Sequence, residues 1–210
     1  MAMLTKSETT ISNILAAAHT LFVARNYADV TMAQIAAAGQ VTKGALYHHF
    51  ESKEELYLAL LHAELARKQA IFRQCVESPG SCRERLRRLT DTFLQLPAEK
   101  RALLGLIRRD INIFRDRARD ELVRAYQAAL PEQVERILAD GIRDGELREL
   151  DTRLLSWQFV GLVEVVLSPY GDAVFGDTDA KLDQVLDLFL SGAGRPSAVE
   201  GTHDHRPPPE

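Results

Sequence analysis

The chain has 210 residues, 46% hydrophobic and 27% charged, and its 30 acidic against 26 basic side chains leave a net charge of −4. Those values describe an ordinary globular protein of one large or two small domains. They exclude a polycation that holds nucleic acid by bulk charge, so any nucleic-acid binding must be local and geometric. The opening MAMLTKSETT has no basic segment followed by an apolar stretch, and secretion is not expected. Ile11, Ile14, Leu15, Ala18, Leu21 and Phe22 then recur at the spacing of one buried helix face. Alternating runs of β-branched residues are almost absent along the chain, so the predicted class is all-α.

Three helix starts follow in quick succession between Val30 and Glu55. Thr31 with Gln34 forms a capping box, predicting a helix to about Ala38. Gly39 sits where a left-handed C-terminal cap is wanted, and Gln40 and Val41 complete a short turn. Thr42 is the next N-cap, for a helix from Lys43 to about His49. Ser52 with Glu55 makes a second capping box and opens a longer helix. Two short helices joined by a glycine-containing turn form a helix-turn-helix. The second is about 10 Å long, close to the ~12 Å width of the DNA major groove.

The side chains fit that use. Lys43 and Gly44 occupy the first turn of the second helix, where a base-reading helix presents its N-terminal residues. Gly44, with no side chain, permits close approach to DNA. Thr31, Thr42, Tyr47, His48 and Lys53 carry donors suited to phosphate oxygens, and Thr31, Thr42 and Lys53 fall at or near helix N-termini. Ile35, Ala36, Val41, Leu46 and Phe50 are expected to face inward. A small, well-capped three-helix bundle is the alternative reading of the same residues. The first sixty residues hold four basic and five acidic side chains, so charge counting alone would miss DNA binding.

The run TMAQIAAAGQVTKGALYHHFESKEEL, with the A-A-x-x-L-F-x-x-x-x-Y segment from Ala17 to Tyr27, resembles the TetR family of bacterial transcriptional regulators over about fifty residues. The resemblance implies an all-α fold of about nine helices. It implies a DNA-binding head, residues 1–51, and an effector-binding, dimer-forming body, residues 52–190. It also implies Lys43, Tyr47, His48 and Lys53 as DNA contacts.

Beyond Leu56 five or six more helices are predicted, punctuated by Pro79-Gly80, Pro97, Gly145, Pro169-Tyr170-Gly171 and Gly176. Pro131 either kinks a long helix or starts its second half, because Val134, Ile137, Leu138 and Ile142 continue the period. Cys75 and Cys82 cannot make a disulfide framework, which fits the cytoplasm. Arginines from Arg83 to Arg124 read as a solvated face paired with Glu84, Asp91, Asp110, Asp116, Asp120 and Glu121. Phe93, Ile107, Arg108, Ile111, Phe114 and Trp157 are the candidate effector pocket; Leu96, Leu103, Leu104 and Phe159 are further candidates, with core packing the alternative for each. Glu164 and Arg108-Arg109-Asp110 interrupt apolar helices, as structural ion pairs or as orienting groups in the pocket.

The stretch Leu154–Leu167 is too short and too interrupted, at Gln158 and Glu164, to span a membrane. Apolar on nearly every side, it needs burial on more than one, and Gly161 within it is read as permitting close packing. Packing outward on a symmetry mate predicts a homodimer interface containing Val163, Val166, Leu182, Val185, Leu186 and Phe189; a large monomeric core is the alternative. Residues 191–210 hold too little apolar surface to fold and are predicted to be a disordered tail.

No catalytic, metal or cofactor site is expected. His48 and His49 adjoin rather than sharing a helix face, His203 and His205 lie in the tail, and no nucleophile elbow, Walker loop or dinucleotide fingerprint occurs. The residues and the resemblance together predict a cytoplasmic, homodimeric, effector-responsive transcriptional repressor. It would bind palindromic double-stranded operator DNA and be released by a small, largely apolar ligand seated between the Ser52 helix and Ile107–Phe114. The alternative is an all-helical small-molecule-binding protein that uses the helix-turn-helix only as scaffold.

Overall fold

The computed structural model describes residues 5–193; of the tail predicted for residues 191–210, residues 191–193 instead end the last helix and the rest lies outside the described residues, as does the side chain of Leu103. Among the described residues there are eleven α-helices, two short 3₁₀ turns and no strand. Helix α1 (Lys6–Ala24) opens on a reciprocal capping box between Thr5 and Glu8. A 3₁₀ turn, Tyr27–Asp29, leads to α2 (Met32–Ala38), α3 (Lys43–His49) and the long α4 (Lys53–Glu77). The body continues with α5 (Cys82–Leu94), α6 (Ala98–Asp110), a 3₁₀ turn at Ile111–Ile113, α7 (Asp116–Ala129), α8 (Pro131–Arg143), α9 (Thr152–Val166), α10 (Pro169–Val174) and α11 (Thr178–Ala193).

Two features account for the helices beyond the nine expected. Leu130, at φ −134° and ψ −64°, leaves the helical region, and Pro131 occupies the first position of a new helix, where its missing N–H is not needed. Ser168 caps Gly171 N–H at 3.0 Å, so Pro169 starts the short α10 rather than merely stopping α9.

The N-terminal core is built from one stripe of each short helix. Ile14, Ala18 and Phe22 of α1, Ile35 and Ala36 of α2 and Leu46 of α3 are buried together with Leu56, Tyr57 and Leu60 of α4. Helix α4, 25 residues long, extends about 37 Å at 1.5 Å per residue and carries this core into the body, where it packs on α7 and α8. Helix α8 packs on α9, and α11 on α9 and α5. Gly141 lets α5 come close, since a Cβ there would stand 3.0 Å from that of Cys82. Buried Glu64 on α4 takes Lys68 at 3.6 Å and Lys100 of α6 at 2.9 Å, so the burial of this carboxylate is compensated by charge.

Several arginines find partners far away in sequence. Arg83 and Arg87 on α5 pair with Asp179, Asp183 and Asp187 along α11, and nearly buried Arg85 pairs with Asp140 of α8 at 2.7 Å. Of the predicted local pairs, Arg87–Asp91, Arg109–Asp110 and Arg117–Glu121 form.

Candidate DNA-reading surface and effector cleft

Helix α2 starts on the predicted box: Thr31 Oγ1 accepts from Gln34 N–H, and the Gln34 side chain accepts from Thr31 N–H at 2.9 Å. Helix α3 starts on Thr42, whose Oγ1 accepts from Ala45 N–H at 3.1 Å. Leu46 anchors α3 in the core, whereas Lys43, Gly44, Tyr47 and His48 are exposed. A lysine ammonium, a phenol hydroxyl and an imidazole thus flank a bare stretch of backbone at the start of a seven-residue helix.

Two expected caps need correction. Gly39 is not the left-handed cap: its φ is −80°, and the left-handed residue is Gln40, at φ 54°. Gly39 is needed for space, because a Cβ would stand 3.2 Å from Ile35 O and 3.4 Å from Asn13 O of α1. The second capping box is only half formed. Ser52 accepts from Glu55 N–H at 3.0 Å, but the Glu55 carboxylate accepts from Glu51 N–H at 2.7 Å.

Lys53 does not join the α3 face. Its ammonium donates to the carbonyls of Tyr27 at 2.8 Å and Val30 at 2.9 Å and lies 4.2 Å from the centre of the Tyr27 ring. It ties the start of α4 to the chain entering α2. Thr31 likewise commits its hydroxyl to Gln34, donating to the side-chain oxygen at 3.2 Å.

In the body, a cleft of about 520 Å³ opens between α6, α7 and α9. Of the six residues named for an effector pocket, Ile107, Arg108, Ile111 and Trp157 line it. Val123, Tyr126, Val160, Gly161 and Glu164 complete the wall. Arg108 donates to the Glu164 carboxylate, Tyr126 Oη donates to its other oxygen at 3.4 Å, and the Tyr126 and Trp157 rings lie 6.0 Å apart. Gly161 serves space rather than packing, since no atom lies within 4 Å of where its Cβ would stand. Phe93, Leu104 and Phe159 border a smaller apolar cavity of about 30 Å³ that shares Val160 and Glu164 with the cleft. Leu96 lines neither space.

Phe114 also lines neither. It is fully buried against Tyr57, ring centres 5.9 Å apart, in an aromatic series that continues through Phe22 and Tyr27. The space expected between α4 and Ile107–Phe114 is therefore filled. There Tyr57 donates to Asp110 at 2.7 Å, and Arg109 donates to both oxygens of the same carboxylate. Burial and the bond to Asp110 push the Tyr57 hydroxyl well up from its ordinary value. Burial raises the Asp110 carboxyl, but hydrogen bonds from Arg109 and Tyr57 outweigh it and hold the group below the ordinary range.

The predicted interface residues on α11 turn inward. Leu182, Val185, Leu186 and Phe189 are buried within the chain, Phe189 against Phe159 at 5.1 Å. Val163 borders the smaller cavity, and Val166 is half-buried. Among the apolar side chains left exposed are Leu154, Leu162 and Val165 on α9 and Leu188 on α11. Sequence reasoning placed the three α9 residues in the interface helix but named Val163 and Val166 as its contacts, and it did not name Leu188. The signal was present in the spacing of 154, 158, 162 and 165 along one side of α9.

Cys75 and Cys82 are both free and buried, and burial pushes the Cys82 thiol up to about 12. Among the described residues no three His, Cys, Asp or Glu side chains gather to hold a metal, and no helix is long and apolar enough to cross a membrane.

Comparison with known proteins places this geometry in context. Residues 14–60 match the profile of the bacterial regulatory proteins of the tetR family, and residues 79–192 match a tetracyclin repressor-like C-terminal domain. The HTH-type transcriptional regulator TtgR of Pseudomonas putida is 30% identical over 199 residues, covering 88% of this chain and 93% of its own. The HTH-type transcriptional repressor KstR2 of Rhodococcus jostii is 27% identical over 188 residues, covering 88% and 91%. The fold is similar to that of the transcriptional regulator FadR from Bacillus subtilis, solved with stearoyl-CoA, at a TM-score of 0.73 and 22% identity over 86% of this chain and 98% of that one.

Proposed function

The chain belongs to the tetR family of bacterial regulatory proteins, and on that footing we propose that it is a homodimeric, effector-responsive repressor of transcription. Residues 1–51 form the head that reads a two-fold symmetric operator with α3. Residues 52–190 form the body that dimerises and holds a small, largely apolar effector. The protein works in the cytoplasm as a binding switch and not as an enzyme.

The observation that carries the reading is the exposed face of α3. Lys43, Tyr47 and His48 point away from the core around Gly44; a helix serving only as scaffold has no need of such donors there. Thr42 stands beside them at the helix N-terminus, where free backbone N–H groups favour a phosphate. The cleft between α6, α7 and α9 is the proposed effector seat, and FadR, which holds stearoyl-CoA on a similar fold, supports a ligand site in the body.

Fragments selected from the source genome should share a palindromic sequence whose half-sites are one or more helical turns apart. With such a duplex, Lys43→Ala should weaken binding and reduce the slope of log affinity against log salt by about 0.9, the value for one lost phosphate contact. Unchanged affinity in a Lys43→Ala, Tyr47→Phe double variant would remove α3 as the reading surface.

A further inference from the structure

We propose that the cleft between α6, α7 and α9 takes an organic cation with an apolar body, and that Glu164 is its counter-ion. The inference rests on the reading of this cleft as the effector seat and adds the chemistry of the ligand.

The cleft wall carries one ion pair, Arg108 with Glu164, and the two partners are not equivalent. The Arg108 side chain is 58% exposed, whereas that of Glu164 is 25% exposed and also borders the apolar cavity beneath. A cation that takes over the carboxylate releases Arg108 into water, where a guanidinium is fully hydrated. An anion that takes over Arg108 does the reverse. It leaves Glu164, three-quarters buried beside aliphatic side chains, with the Tyr126 hydroxyl at 3.4 Å as its remaining protein partner. Leaving a charge unpaired in apolar surroundings is far more costly than returning an exposed one to solvent. The asymmetry therefore selects a positively charged ligand.

Two further features point the same way. The Tyr126 and Trp157 rings, 6.0 Å apart and inclined by 34°, adjoin the carboxylate. Aromatic faces attract cations within about 6 Å of the ring centre. Gly161 leaves the space between Trp157 and Glu164 on the same side of α9 unfilled. A cleft of about 520 Å³ is within the range of small-molecule sites.

Trp157 is the only tryptophan in the chain, so intrinsic fluorescence reports on the cleft directly. The probes are benzyltriethylammonium, a permanent cation, and 4-phenylbutyrate, an anion with a comparable apolar part, each titrated into the full-length protein. Saturable quenching is expected from the ammonium at concentrations where the carboxylate has no effect. Glu164→Gln should weaken ammonium binding at least tenfold, while Arg108→Ala should leave it unchanged or tighten it by removing the competing guanidinium. Gly161→Leu, whose added side chain enters open space, should abolish binding while circular dichroism shows an intact fold. Tighter binding of 4-phenylbutyrate than of the ammonium, no ammonium binding, or weaker ammonium binding in Arg108→Ala would each overturn the proposal; the last two variants decide the matter even if Glu164→Gln fails to fold. Operator release is measured separately. Glu164-dependent ammonium binding with no effect on DNA would refute the effector reading and leave the cation site standing.

Discussion

Gly44 and Gln40 stand four residues apart in the reading head, and each holds the residue type that local backbone energetics disfavours. Gln40 adopts φ 54°, a conformation in which a Cβ costs about 1–2 kcal/mol and glycine almost nothing. Gly44 lies inside α3, where glycine is about 1 kcal/mol worse than alanine. A Cβ on Gly44 would meet only Thr42 Oγ1, at 3.9 Å, so the protein itself does not demand glycine there. Gly44→Ala should accordingly raise the melting temperature and, if DNA approaches the backbone at this turn, weaken operator binding. Thermal unfolding and fluorescence anisotropy on the same preparation separate the two effects. Unaltered affinity would mean that DNA stays clear of the first turn of α3. The exposure of Lys43, Tyr47 and His48 was legible because it is a local property of a short capped helix. That of Lys53 was not, because its carbonyl partners lie 23 and 26 residues earlier and nothing in the sequence marks them.

At the scale of elements, the joint between α4 and α6 is the physical link between cleft and head. Ile107, Arg108 and Ile111 face the cleft, while Asp110 on the same segment grips Tyr57 of α4 and thereby the aromatic series beneath the head. The Asp110 carboxyl has a lower folded than unfolded pKa, because the bonds from Arg109 and Tyr57 outweigh its burial. Such a group contributes stability above the ordinary Asp value of about 3.9 and loses it as pH falls through the lower folded value. Asp110→Asn should therefore be less stable than the parent at neutrality, with the gap closing in strong acid. Urea unfolding followed from neutral to strongly acidic pH checks this, and a pH-independent gap would discount the charge of Asp110. Tyr57→Phe, which removes one buried donor, should cost about 1–3 kcal/mol at neutrality. The sequence offered Asp110 as a paired surface acid or part of a structural ion pair, and the pair with Arg109 forms, but the bond to Tyr57, 53 residues away, left no mark in it. Capped helix starts at Thr31, Thr42 and Ser52 were legible to the residue because N-caps act over three positions. The extra helices were harder to see, since Ser168-Pro169 and Leu130-Pro131 each serve equally well as a stop or a start.

The whole molecule shows where periodicity stops informing. A stripe such as Leu182, Val185, Leu186 and Phe189 says that one face of α11 is buried but not against what, and the chain's own α9 and α5 take it. What a partner subunit would cover is the residue of that packing: Leu154, Leu162 and Val165 on α9 and Leu188 on α11, with Val165 and Leu188 64% and 69% exposed. A stable interface buries about 800 Å² on each side, so a dimer built on this surface would need the outer faces of both helices. In a two-fold dimer every substitution there appears twice across the same axis. Val165→Asp places a charge in water in the monomer and in apolar surroundings in the dimer, where each unpaired charge costs several kcal/mol. It should yield a folded monomer with native helicity that loses cooperative binding to the full palindrome. Phe189→Asp should behave differently: at 8% exposure its ring belongs to the chain's own core, and the substitution should lower stability by at least the roughly 3–5 kcal/mol of losing a buried phenylalanine. Sedimentation equilibrium together with circular dichroism distinguishes the two outcomes. A Val165→Asp protein that still sediments as the dimer would move the interface off this face of α9.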